Sequence, residues 1–326
     1  MASPSSTLST LRPDLGGSLE EFDLAMDRQG FIGQRVLPVL DVAKQAGSFG
    51  RIPVEQLLQS RDTNRANGGG YSRGSFKFEP DSYATEEHGA EEPVDDRESE
   101  MYAEYFDHEV VSAQRALDVV LRNQEIRAAA LLFNASTWTG SSLFTSITNE
   151  WDDYTNATPI NDVEGAVRKV WAGSGIWPNA LVINRHVFRN LRMCAQVLDR
   201  IAASGAGDKI KAKDVTAQML AQVFDLEEII IGGSAKNTAN EGQTVAFGKI
   251  WSDEYAMVCR VARTKDIKEP CVGRTLHYSA DGSQIGGTVE TYRDETIRGN
   301  VVRVRHDVQE KRMYTECAHL LGNVTT

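Results

Sequence analysis

The chain is poor in cysteine: Cys194, Cys259, Cys271 and Cys317 are its only four in 326 residues, far apart and without a C-x-x-C pair. That spacing excludes a zinc ribbon and a disulfide framework, and free thiols in a reducing cytosol are the plain reading. The N-terminus has no basic segment followed by an apolar run, so no secretory signal is expected. The chain also lacks a long hydrophobic stretch. Its uncharged run Ala128 to Asn149 spans 22 residues, of which 11 are Ser, Thr, Asn or Gly, a poor membrane span.

Phosphate-cradling glycines are missing as well. There is no G-x-x-x-x-G-K-[ST] and no G-x-G-x-x-G after a strand; Gly205-Ala206-Gly207 lacks the third glycine. The six histidines, His88, His108, His186, His277, His306 and His319, are dispersed, with no H-E-x-x-H and no His/Cys cluster. G-x-S-x-G is absent, and a Ser/His/Asp triad could be assembled from any chain with this many Ser and Asp. The pairs Glu86/Glu87 and Glu91/Glu92 do not follow the alternating order of a calcium loop. No catalytic, cofactor-binding or metal-ligating residue is therefore nominated, and the chain reads as a non-enzyme without cofactors.

Basic excess is the last absence. With 35 Lys+Arg against 46 Asp+Glu the formal charge is -11, which argues against a protein that wraps DNA or RNA by neutralising phosphates. Residues 1–135 hold 13 basic and 23 acidic residues, so almost all the excess lies in the first two-fifths. Its densest part is Glu86, Glu87, Glu91, Glu92, Asp95, Asp96, Glu98 and Glu100, relieved by Arg97. By itself this reads as a solvated charged loop running into a helix.

What is present is an ordered succession of segments. A Ser/Thr/Pro-rich tail and an amphipathic stretch, Leu19 to Met26, lead to Val36-Leu37-Pro38-Val39-Leu40, where Pro38 opposes a regular helix. These residues read as an apolar arm packed against something else. From Gln59 to Glu100 core residues are sparse. Asn67-Gly68-Gly69-Gly70 signals a turn and Ser75 to Glu79 alternates, which together predict a β-hairpin over Phe49 to Glu87 with arms of about 10 residues. Such a ribbon is marginal alone in water and needs a partner surface.

Asp95, with Glu98 three residues on, opens a helix. Tyr102, Phe106, Val110, Ala113, Leu117, Val120 and Leu121 recur at three- and four-residue steps, and no Pro or Gly interrupts 97–135. One helix of about 37 residues, ~55 Å long, is predicted. Beyond 160 the pattern becomes α/β. Asn161-Asp162 cap a helix to Trp171; Asn179 to Ile183 is a buried strand; Asn184 caps a helix to Cys194; Asp214 opens one to Phe224. Strands follow at Glu228–Ile231, Val245–Phe247, Tyr255–Cys259, Gly287–Tyr292, Val301–Arg305 and His319–Leu321.

Taken with the segments Tyr83 to Asp96, Trp177-Pro178-Asn179-Ala180-Leu181-Val182-Ile183-Asn184 and Cys317 to Val324, this order resembles the major capsid proteins of tailed bacteriophages across essentially the whole chain. The resemblance implies an α+β, Hong Kong 97-like capsid fold in five parts: N-terminal arm, residues 1–48; extended β-hairpin loop, 49–92; peripheral domain with a long spine helix, 93–159; α/β axial domain, 160–270; and return strands of the peripheral domain, 271–326. It implies self-assembly as pentamers and hexamers into an icosahedral procapsid that encloses double-stranded phage DNA without sequence-specific binding, made in the bacterial host cytoplasm and maturing into the virion. A separate scaffolding protein is expected, since no scaffold-like domain precedes the arm, together with a portal and a decoration protein.

The fold's namesake links subunits through a loop Lys and a distant Asn. Here the hairpin lysine is Lys77, outside the tip, so no such link is expected. Intersubunit contacts are expected from the tip residues Arg61, Arg65 and Arg73, from Glu86, Glu87, Glu91, Glu92, Asp95 and Asp96 of an adjacent copy, and from Val36, Leu37, Val39 and Leu40 of the arm. The competing readings are an encapsulin-like compartment shell and a cytosolic α/β enzyme with residues 59–100 as a lid.

Overall fold

A computed structural model describes residues 10–11, 30–51, 53, 56, 58–75, 77, 79–103, 107–203, 212–240, 242–280, 282–283, 285 and 287–326. The amphipathic segment Leu19 to Met26 and Phe106 lie outside them. The first half of the chain contributes β1 (Thr10–Leu11), the single-turn α1 (Gly33–Val36), β2 (Val39–Val42), β3 (Ala46–Arg51), β4 (Glu79–Ala84), β5 (Glu86–Asp95), α2 (Asp96–Tyr102), α3 (His108–Leu132) and β6 (Phe144–Ser146). The second half contributes α4 (Pro159–Ser174), β7 (Ala180–Asn184), α5 (Arg185–Leu191), α6 (Ala195–Ala203), α7 (Ala217–Val223), β8 (Glu228–Gly232), β9 (Ala235–Asn237), β10 (Phe247–Lys249), β11 (Ala256–Cys259), β12 (Gly273–Tyr278), β13 (Thr288–Asp294), β14 (Gly299–Arg312) and β15 (Ala318–Gly322).

Two sheets organise these elements. The first is built on β14, 14 residues long, which pairs antiparallel with β13, β5 and β12; β1 adds to β13, and β2 adds parallel to β12. The second has the order β6-β15-β11-β7-β8. Every residue of β7 is buried. Leu181 and Ile183 enter one core with Val163, Val167 and Val170 of α4, whereas Ala180 and Val182 enter another with Trp138, Trp251 and Leu132. A strand covered on both faces loses its polar alternation, so this one reads as a continuous apolar run. The second sheet also takes β6 and β15, from either side of the expected axial boundaries at 160 and 270. The returning C-terminal segment is thus shared between the two sheets, because β15 pairs with β11 and β6 while β12 to β14 stay in the first.

The expected helix over 97–135 is divided. α2 starts where Asp95 accepts from the Arg97 N–H at 2.8 Å, but α3 has its own cap: the Asp107 carboxylate accepts from Glu109 and Val110 N–H. An Asp that satisfies free N–H groups starts a new helix without help from Gly or Pro. α3 is 25 residues, or ~37 Å. Its Ala113, Ala116, Leu117, Val120 and Leu121 pack on Val94, Val289, Val302 and Val304 of the first sheet, while Ala128, Ala129 and Leu132 join the core that contains Val182 and Trp251. One helix therefore ties both sheets together.

Several boundaries shift. α4 begins at Pro159, because Asp162 accepts from the Trp151 indole instead of capping, and it ends at Gly175, whose φ of 69° is the left-handed C-cap. α5 ends at Leu191, and α7 is capped by Thr216 with Asp214 in a preceding turn. The expected strand over Val245 to Phe247 lies two residues later.

Candidate assembly surfaces

The hairpin forms with a short paired base. β3 and β4 pair from Ala46↔Ala84 to Arg51↔Glu79, six residues per arm in place of the expected ten. Ser75 and Lys77 belong to no strand. The base is tied to β14 and its end: Arg51 donates to the Met313 carbonyl at 2.8 Å, and Lys311 pairs with Asp81 at 2.5 Å. Residues 58–75 beyond it are exposed apart from Arg61 and Gly69. The expected turn is present, with Gly69 N–H donating to the Ala66 carbonyl. Arg65 donates to the Gly69 carbonyl at 2.6 Å and lies 4.9 Å from the centre of the Tyr71 ring, Arg61 packs over Gly74, and Arg73 is exposed.

The acidic segment is a strand, β5, and not a solvated loop. It pairs with β14 from Gly299↔Asp95 to Val308↔Glu86. Its carboxylates meet arginines from elsewhere in the same chain: Glu91 with Arg303 at 2.6 Å, Glu92 with Arg115 at 3.7 Å and Glu87 with Arg305 at 3.8 Å. Asp96 forms a two-bond pair with Arg293 at 2.6 and 2.7 Å, which holds its carboxyl below the usual range. Asp95 caps α2, and Glu86 is exposed at the strand end. Beside them is a groove of about 640 Å³ lined by Pro93, Asp95, Arg97, Glu98, Met101 and Ile297.

The arm differs from expectation. Val36 and Leu37 are fully buried in the chain's own core, and Val39 and Leu40 lie half-buried in β2, paired with β12. They are not an exposed apolar strip, because the first sheet offers β2 an edge within the same chain. The arm is held by Glu125 of α3. Its two oxygens accept from Ile32 N–H and Gly33 N–H at 2.7 Å each, and Oε1 also accepts from the Trp251 indole at 2.6 Å. Burial pushes this carboxyl's pKa up, and the three donors pull it part of the way back. A Cβ at position 33 would lie 2.6 Å from Oε2, so only glycine admits the clasp. Sequence reading missed Glu125; the available signal was an acid in the apolar stripe Leu121, Ala128, Leu132.

Among the described residues no reactive constellation is assembled. All four cysteines are buried, and burial raises the thiols of Cys194 and Cys317 to about 12, which keeps them from acting as thiolates at neutral pH. Among the described residues no group of His, Cys, Asp and Glu could hold a metal. One Ser/His/Asp alignment does occur: His277 Nδ1 lies 3.0 Å from Asp41 Oδ1, and its Nε2 lies 3.2 Å from Ser283 Oγ. The Ser283 hydroxyl donates to the Tyr278 carbonyl at 3.0 Å and is buried. Its proton is directed away from the imidazole, so the trio staples β2 to β12 and does not activate a nucleophile.

No protein-family model matches the chain. Over 254 residues, 76% of this chain and 78% of the relative, it is 26% identical to the major capsid protein of Burkholderia phage BcepMu. A phage-related protein from Bordetella bronchiseptica RB50 matches 97% of this chain and 98% of its own length, with a TM-score of 0.70 at 18% identity. The capsid of cyanophage P-SCSP1u matches 88% and 86%, with a TM-score of 0.53 at 11% identity. The chain has the Hong Kong 97-like capsid fold. The expected α+β class and the resemblance to tailed-phage capsid proteins are borne out. An encapsulin complex from Synechococcus elongatus PCC 7942 also matches, with a TM-score of 0.52 at 12% identity over 99% of this chain and 92% of the other.

Proposed function

We infer that the chain is a major capsid protein whose copies assemble as pentamers and hexamers into an icosahedral shell around a packaged double-stranded DNA phage genome. The observation that carries this reading is the extended loop: a paired base anchored to β14 carries residues 58–75, which bury almost nothing in their own chain. A long ordered ribbon that adds no core to its own subunit gains its stability from a neighbour. The relationship to a phage major capsid protein over three-quarters of the chain supports the same conclusion.

The net charge of -11 suits a container, because an acidic wall does not hold the genome while it is being packed. A separate scaffolding protein, a portal and a decoration protein complete the assembly, which is built in the host cytoplasm and ends as the virion shell. No helix among the described residues is long and apolar enough to cross a membrane.

Sedimentation and negative-stain microscopy of the purified chain, with and without a scaffolding protein, test the inference. Closed shells are expected; a species of about 35.9 kDa under every condition overturns it. The encapsulin reading, favoured by the similarity to the Synechococcus complex, is separated by nuclease-protected DNA in native particles.

The loop tip is assigned to the adjacent copy's acidic strip, with Arg61, Arg65 and Arg73 meeting Glu86, Glu87, Glu91, Glu92, Asp95 and Asp96. Several of these carboxylates already pair with their own arginines, so the incoming cations join an existing network at ~0–1 kcal/mol per pair and act mainly on register. Reversing all three arginines to Glu is expected to lower particle yield at least tenfold while leaving the melting temperature unchanged. Normal yield would remove the tip from this contact.

A further inference from the structure

His306 is a buried titratable side chain both of whose polar atoms lack a partner. It sits in the middle of β14, fully buried, and neither ring nitrogen has a hydrogen-bond partner. The β5–β14 register places it directly opposite His88, with the ring centres 6.0 Å apart and the planes nearly perpendicular at 86°. Two residues before His88 the chain enters the seam from the extended loop: β4 ends at Ala84 and β5 begins at Glu86. The pair therefore stands at the root of the loop.

The charged groups around it come from four elements. α3 contributes Arg127; β14 contributes Asp307 and Glu310; β5 contributes Glu86, with Glu87 opposite Asp307; and β12 contributes His277. The acids offer a protonated imidazole little relief. Glu310 is engaged by both Arg127 nitrogens at 3.0 Å, and one Asp307 oxygen accepts from Gln45 at 3.1 Å. A guanidinium is a permanent cation in proteins.

We propose that His88 and His306 form a proton-operated latch: neutral, they let β5 zip onto β14 and fix the loop, and protonated, they part the seam and free the loop's root. An imidazolium forced beside Arg127 is repelled and desolvated at once; the buried acceptor left unpaired nearby, Asp307 Oδ1, belongs to the next residue of β14, whose side chain is directed to the alternate face of the strand. The sign follows from the ring's own titration. Burial, then Arg127, His88 and His277, lower His306 to about 3 from an ordinary 6.5. The opened state takes up the proton first, so the closed seam is fully favoured above about pH 6.5 and is progressively lost as pH falls towards 3. His88 is shifted in the same direction by burial and Arg127. Glu125 acts oppositely: its raised carboxyl is relieved as pH falls, so the arm clasp does not open with the latch.

Hydrogen exchange of the full-length chain at pH 7.5 and 5.0, corrected for intrinsic rates, tests the latch whether or not shells form. Peptides covering Glu86–Asp95 are expected to lose protection roughly 30-fold, while the buried axial strand Ala180–Asn184 changes less than threefold. His306→Phe, which fills the space without a titrating group, is expected to abolish the loss. Equal protection of β5 at both pH values in the wild type, or an equal loss in His306→Phe, overturns the latch. Should that variant fail to fold, NMR titration of the His306 ring in the wild type decides: a midpoint near 6.5 overturns the proposal and one below 5 upholds it.

Discussion

Replacing Glu125 with alanine is expected to cost about 3 kcal/mol of stability, read as a lower urea midpoint at unchanged slope. The change strands three buried donors, the N–H groups of Ile32 and Gly33 and the indole of Trp251, each bonded at 2.6–2.7 Å. An unsatisfied buried donor costs about 1–3 kcal/mol, and relief of the desolvated carboxylate offsets part of that sum. The loss is large against a total stability of about 5–15 kcal/mol. Glu125→Gln keeps one carbonyl acceptor but turns its amide NH₂ towards a donor, so about half the loss is expected. The damage is also directional. Glu125 sits where α3, the arm and the loop before β11 converge, so protection of Ile32 to Leu37 should fall before that of β14. A midpoint within about 1 kcal/mol of wild type would show that Leu37, Leu132 and Trp251 hold the arm by packing alone.

How much of this was legible in the sequence depended on where each segment finds its partner. Ala180 to Ile183 was readable because burial on both faces leaves a run of apolar residues, and Asn184 because its cap lies two residues away, accepting from His186 N–H at 2.7 Å. β5 was unreadable as a strand. Its ladder lies over 200 residues downstream, and arginines that balance its acids, such as Arg303 and Arg305, come from the same distance. Val36 and Leu37 looked like an unpartnered patch because the edge that shelters β2 is β12, some 235 residues away. The absence of Gly and Pro over 97–135 does not mark one continuous helix, because the Asp107 carboxylate starts α3 by satisfying its free N–H groups. The candidate surfaces follow the same division: the loop tip was recognisable from composition, whereas the Glu125 clasp and the histidine seam exist only once distant strands are in register.

The extended loop allows stability and assembly to be separated. Excising residues 52–78 and joining Arg51 to Glu79 through Asn-Gly uses the native end of the β3–β4 ladder, and a two-residue Asn-Gly turn suits that geometry. Residues 58–75, the bulk of the excised segment, are exposed apart from Arg61 and Gly69, so their removal takes little apolar area from the fold, and stability is expected to stay within about 1 kcal/mol of wild type. Shell formation should fail. A contact worth about 1–2 kcal/mol per subunit, summed round a ring of five or six copies, amounts to roughly 5–12 kcal/mol per capsomer, enough to lower particle yield more than 100-fold. Circular dichroism checks the first expectation and sedimentation the second. Intact folding with normal shells would show that the copies join through the sheets and helices of the body, and the loop would then have to be assigned a different partner.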